Sequence, residues 1–265
     1  MQEEGKTDPE RLRQLAAVRF YLQYVIWQCE IKWEDEAKGP TNYVTVLDQL
    51  RRVRAQNEPV LLVTFNYDRM IETALSSVGL SISELQNYIQ NDAFKLFKLH
   101  GSVHWAHEIE NQVINVSGRN VWDVVHELIN TAPNLNISSR FRIVDGYPTG
   151  KVDDIPLFPA IALPVETKLD FECPPDHLEC LRAHLGKITK VLTVGWAAQE
   201  RHFLTLLKEN LSREIHVKAV AGTEQDGEQV LDRIRGAGIS LVAERPVAGF
   251  TEYVISRDAE QFFCA

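Results

Sequence analysis

The chain reads as an α/β domain built on a mostly parallel β-sheet with helices on both faces. Three observations carry that expectation. The continuous apolar run at residues 60–63 has the pattern of a strand buried on both sides, and residues 190–194, ending at Gly195, read as a second clear strand. Between such runs lie stretches whose apolar residues recur every three or four positions, as on a helix with one buried face. From about residue 175 onward the two patterns alternate at the pitch of strand–helix–strand units.

Asp8, Pro9 and Glu10 form a helix start, and Leu12, Leu15, Leu22, Ile26 and Cys29 follow at helical spacing. After Gly39 and Pro40 a second helix is expected on Tyr43, Val46, Leu47, Leu50 and Val53. These helices, within residues 1–58, either pack on the sheet or offer an oligomer surface. Pro59 opens the strand 60–63, and Asp68 starts a helix on Ile71, Ala74, Leu75 and Val78 that stops at Gly79. Residues 94–99 suggest a second strand, with a polar loop beginning at His100 and Gly101.

Residues 106–158 read as an insertion or lid with one helix around 122–129 and a loop rich in Asn, Ser, Gly and Pro. Strands are expected again at 160–165, 190–194, 215–220 and 239–242, and helices at 175–185, around Phe203, Leu206 and Leu207, and at 225–235. The whole, residues 1–265, is expected to be one domain with a Rossmann-like sheet. In such a sheet ligands bind beyond the carboxyl ends of the strands.

A net charge of −9 supplies no basic field for phosphate backbones or anionic lipid, so neither nucleic acid nor membrane is an expected partner. No apolar run approaches the length of a bilayer span, and residues 1–10 lack the apolar core of a secretory signal, which places the chain in the cytoplasm as an expectation. Four scattered cysteines, Cys29, Cys173, Cys180 and Cys264, suit free or buried thiols better than disulfides, and no ligand pairs with zinc-site spacing are present.

Three strand ends place small or polar groups where chemistry is sought: Thr64-Phe65-Asn66-Tyr67-Asp68, Lys98-Leu99-His100-Gly101-Ser102, and Thr193-Val194-Gly195-Trp196-Ala197. Each has a structural reading. Asp68 suits a helix cap, a lone histidine is more often packed or solvated than catalytic, and Gly195 suits a tight turn.

Taken together and in order, Thr64, Asn66 and Asp68, then Leu99, His100, Gly101 and Ser102, then Gly195 resemble the sirtuin-like family, whose members bind and cleave NAD. The resemblance spans residues 59–223. It implies that His100 acts as base on a ribose hydroxyl while Asn66 and Asp68 position the nicotinamide end and an attacking water. Thr64, Phe65, Gly101, Ser102, Gly195 and Trp196 would then line the nucleotide. NAD would be the substrate, with no metal.

The chain departs from that family in three places. The glycines before Asn66 are Gly5 and Gly39, each alone, so the family's Gly-Ala-Gly phosphate loop has no counterpart. Trp196 and Ala197 follow Gly195 where a hydroxyl side chain usually stands. The zinc-binding cysteine pairs are missing, which argues against the protein-deacylating members and toward the NAD-hydrolysing branch linked to anti-phage defence. The resemblance therefore implies an NAD glycohydrolase releasing nicotinamide and ADP-ribose, with an associated defence protein or a homo-oligomer as context. The competing expectation is a non-catalytic module that binds a nucleotide, ADP-ribose among them, or a protein.

Overall fold

The computed structural model describes residues 8–37, 41–55, 58–110, 114–145, 150–152, 155–163 and 171–264. It is a mixed α/β structure. The chain runs α1 (Pro9–Ala37), α2 (Thr41–Val53), β1 (Val60–Thr64), α3 (Met70–Ser77), α4 (Asn87–Gln90), β2 (Phe94–Lys98) and β3 (Gly101–Ile109). It continues through α5 (Val121–Thr131), β4 (Ile137–Ile143), β5 (Lys151–Val152), β6 (Ile155–Ile161), α6 (Pro175–Leu185) and β7 (Lys190–Val194). Then come α7 (Arg201–Asn210), β8 (Ile215–Ala221), α8 (Glu224–Gly236), β9 (Leu241–Ala243), β10 (Val247–Ala248), α9 (Phe250–Ile255) and α10 (Asp258–Cys264). Among the described residues no helix is long and apolar enough to cross a membrane.

Parallel pairing holds where apolar runs announced it. β1 pairs β2 in register from Val60 opposite Phe94 to Thr64 opposite Lys98, and β8 takes β7 on one side and β9 and β10 on the other, all parallel. These ladders do not join into the single sheet expected from the alternation. Among the described residues β1 finds a ladder partner only in β2, and β7 only in β8. Side-chain packing unites them instead: Leu96 and Phe97 of β2 share one core with Val217 and Ala219 of β8, Leu181 and Leu185 of α6, and Leu231 of α8.

The stretch expected to be a loop from His100 and an insertion over 106–158 is a third, antiparallel sheet of order β4-β3-β6-β5. β3 begins directly at Gly101, so the polar loop expected there is replaced by a strand. The reason the pattern hid it lies partly in β6, whose sequence IPLFPAI carries two prolines. Proline cannot donate to a ladder and demotes a run to edge or bulge on sequence grounds. Here the β3–β6 register shifts between Gly101 and Ala106, and Pro159 sits opposite Ala106 beside that irregularity.

Helix α1 packs on this antiparallel sheet and on α5. Ala16 and Phe20 join Val124, Val125, Leu128 and Phe158 in a second core, with the Phe20 and Phe158 rings edge to face at 5.5 Å. Burying a phenylalanine contributes about 1.5–3 kcal/mol, so the contact anchors the helix. Gln23 Nε2 donates to the Val103 carbonyl at 2.7 Å, and Glu30 Oε1 accepts from the Arg69 backbone N–H at 2.7 Å. The N-terminal helix is thereby tied to both chain segments that carry the site. Of the strand expected at 160–165, only residues 160 and 161 are strand, as the end of β6; residues 162 and 163 lie outside any strand, and 164 and 165 outside the described residues.

Candidate functional site

The site is a rim formed by the carboxyl ends of β1, β2 and β7. Residues 64–68 turn out of β1 on a local hydrogen bond, the Asn66 N–H donating to Thr64 Oγ1 at 3.0 Å. Thr64 is buried, Phe65, Tyr67 and Asp68 half-buried, and Asn66 exposed. Beside them, the Leu99 N–H donates to the Thr64 carbonyl at 3.1 Å, and the Val103 N–H to the Tyr67 carbonyl at 2.9 Å. Those two bonds carry the register of β1 and β2 past the strands and set the His100 turn against the Asn66 loop.

His100 stands half-buried among aromatic rings. The Phe65 ring lies 4.9 Å from the imidazole, with Tyr67 at 6.3 Å and His202 at 6.0 Å, both stacked. Its backbone is held on both sides: its carbonyl accepts from the Ala162 N–H at 2.9 Å, and it bridges in parallel to Glu172. Gly101 adopts φ +81°, and a Cβ there would lie 2.0 Å from the Ala160 carbonyl oxygen. Only glycine permits β3 to pass so close to β6 directly after the histidine.

The third strand end reaches the same rim through aromatic contact. Trp196 stacks on Phe65 at 6.0 Å, and both rings meet Phe203 edge on, at 5.6 and 5.3 Å. Gly195 takes φ +62°, with its N–H donating to the Val220 carbonyl at 2.9 Å and open space where a Cβ would point. Trp196 Nε1 donates to Glu200 Oε2 at 2.5 Å, which fixes the indole over the rim.

The predicted residues thus fall into three groups. Phe65, His100 and Trp196 meet by their rings, with Gly195 in the turn before Trp196. Asn66 and Asp68 stand on the loop that carries Phe65 and Tyr67 to His100. Thr64, Gly101 and Ser102 are buried beneath: Ser102 has no exposed surface, and its hydroxyl lies within reach of the Tyr67 carbonyl and His104. Asp68 carries a second duty, since its Oδ1 accepts from the Met70 N–H at 3.0 Å and so holds the first turn of α3.

Four further residues reach the rim that sequence reasoning did not assign to it. Tyr67, within the matched segment, donates its hydroxyl to the Ala162 carbonyl at 2.8 Å, and burial raises its pKa. His202 and Phe203 open α7, and Phe171, its ring 4.5 Å from that of His202, precedes Glu172. A histidine at the start of the helix after a strand-end glycine is the cue that would have found His202. Behind Glu172, His107 Nε2 lies 2.5 Å from Glu172 Oε1, with both side chains largely buried.

Chemically, the rim offers an imidazole, an exposed amide and a carboxylate above an aromatic floor. No group of three or more metal-ligating side chains occurs among the described residues. The open cleft lined by Lys218, Glu224, Arg245 and Asp258 lies beside β8 and β10 and shares no residue with the rim. Comparison with family models, with curated proteins and with solved structures returns no match for the chain.

Proposed function

We propose that the chain is a sirtuin-like NAD glycohydrolase on a Rossmann-like framework, the rim taking the nicotinamide ribose of NAD. The observation that carries this reading is the meeting of the Asn66–Asp68 loop and the half-buried His100 at the carboxyl ends of two parallel strands, with the Phe65 ring 4.9 Å from the imidazole. Ligands of open α/β sheets bind at that end.

Cleaving the bond between nicotinamide and ribose develops positive charge on the sugar. Asp68 supplies a carboxylate near that charge, and Asn66 an amide able to align an attacking water. His100, on the adjoining turn, takes a proton from a ribose hydroxyl, a task matched to imidazole near neutral pH. The aromatic floor of Phe65, Tyr67 and Trp196 excludes water from one side of the sugar and offers flat surfaces to the leaving ring.

The test is nicotinamide release from NAD by the full chain. His100→Ala is expected to lower turnover by about 10²–10⁴-fold while the melting temperature is kept. Equal release by wild type and variant removes His100 from the chemistry and the reading with it.

One observation favours a non-catalytic nucleotide-binding module instead: Asp68 Oδ1 is already engaged with the Met70 N–H. Binding of ADP-ribose in a calorimeter, with no nicotinamide released from NAD, would select that reading.

A further inference from the structure

Under the rim runs a string of buried polar groups that the proposed chemistry does not use. Lys98, the last residue of β2, has no exposed surface. Its Nζ donates to Glu72 Oε1 on α3 at 2.9 Å and to the backbone carbonyl of Asp68. The Tyr88 hydroxyl lies 3.0 Å from the same Glu72 oxygen and 3.0 Å from His104 Nε2. His104 Nδ1 lies 2.9 Å from Ser102 Oγ, which in turn lies 3.2 Å from the Tyr67 carbonyl.

A buried lysine–glutamate pair is a poor device for stability alone, because desolvation offsets much of the attraction and apolar residues of similar size serve as well. Lys98 does what an apolar residue cannot, namely hold a carbonyl from within the core. Its target is the Asp68 carbonyl, so the rim loop is gripped from below. The proton positions follow from Glu72: Tyr88 donates to the Glu72 carboxylate, its oxygen accepts from His104 Nε2–H, and the bare Nδ1 accepts from the Ser102 hydroxyl. Burial keeps His104 neutral by lowering its pKa well below the usual value.

We propose that Lys98 is a positioning residue, aligned by Glu72 and, through it, by the Tyr88–His104–Ser102 chain, that clamps the Asp68 carbonyl and so holds the 64–68 loop against His100. The proposal rests on reading the rim as the reaction site. It deepens that reading by assigning the buried layer beneath it, whose residues touch no substrate.

Lys98→Met combined with Glu72→Gln removes the grip without leaving an unpaired buried charge. The readout is amide hydrogen exchange over residues 64–70, with β8 and the melting temperature as controls for the fold. The double variant is expected to exchange about 10-fold faster in the loop, as the loss of one hydrogen bond predicts, and no faster in β8. In nicotinamide release, kcat is expected to fall about 10–100-fold with KM nearly unchanged, as for misplaced but intact reacting groups.

Unchanged exchange over 64–70 in the double variant overturns the clamp. Faster exchange spread equally over loop and β8 overturns it as well, since the residues would then serve only the fold. If the wild type releases no nicotinamide while loop exchange still rises, the clamp stands and the hydrolase reading fails.

Discussion

Gly101 and Gly195 both hold left-handed backbone, yet the cost of a side chain differs between them because of what stands opposite. At Gly101 an added Cβ meets the Ala160 carbonyl at 2.0 Å, so alanine must push β3 away from β6. At Gly195 the Cβ would meet nothing within 4 Å. Gly195→Ala is therefore expected to cost about 1–2 kcal/mol, the left-handed penalty alone. Gly101→Ala should cost at least about 1–3 kcal/mol more, since it adds overpacking against backbone. Urea denaturation of the two variants checks the order. Equal losses would mean that β3 and β6 part without resistance.

At the scale of elements, local signals and long-range signals separate cleanly. Helix α8 begins with a capping box: Thr223 Oγ1 accepts from the Asp226 N–H at 3.1 Å while Asp226 Oδ2 accepts from the Thr223 N–H at 3.2 Å. Those residues are three apart; the helix, over 225–235, was legible in the sequence from its short-range apolar spacing. Thr223→Ala is expected to lower stability by about 1 kcal/mol, read as a shift of the urea midpoint at unchanged slope. Helix α6 was equally legible, because Pro175 sits at its first turn and Leu181 and Leu185 repeat on one face. The antiparallel sheet was not, since the ladders that β3 makes with β4 and β6 join residues 28 to 60 apart and two prolines interrupt β6. Nothing local announces such pairing.

For the molecule as a whole, acid should be destabilising through buried histidines. His177 on α6 packs against Tyr88 and Trp105, donates Nε2–H to the Leu85 carbonyl at 2.9 Å, and is lowered by burial to a pKa of about 4. His104 is lowered too, again by burial first and then by the Lys98 charge. A histidine held neutral in the fold binds its proton more readily once unfolded. Between pH 6.5 and about 4 the unfolded chain takes up more protons, so stability is full above that window and falls as pH drops through it. His177 alone should remove about 2 kcal/mol between pH 7 and 5. His177→Gln, which keeps a donor but does not titrate, should flatten that slope in urea melts at the two pH values. An unchanged slope would place the acid sensitivity elsewhere.

By itself the sequence determined the mixed α/β class, the strand at β1 and the regular alternation after Pro175, and it marked Asn66, Asp68, His100 and Gly195 as strand-end residues. Apolar runs, helical spacing and caps are short-range properties, so they can be read in order along the chain. Only the tertiary structure decided that the parallel strands stand in two ladders, that β3, β4, β5 and β6 form a sheet of their own, and that Ser102 faces inward. It alone brought Tyr67, Phe171 and His202 to the rim and buried Lys98 beside Glu72. Burial of a charge and the meeting of rings depend on partners far away in the chain, and no window of sequence contains both members of the pair.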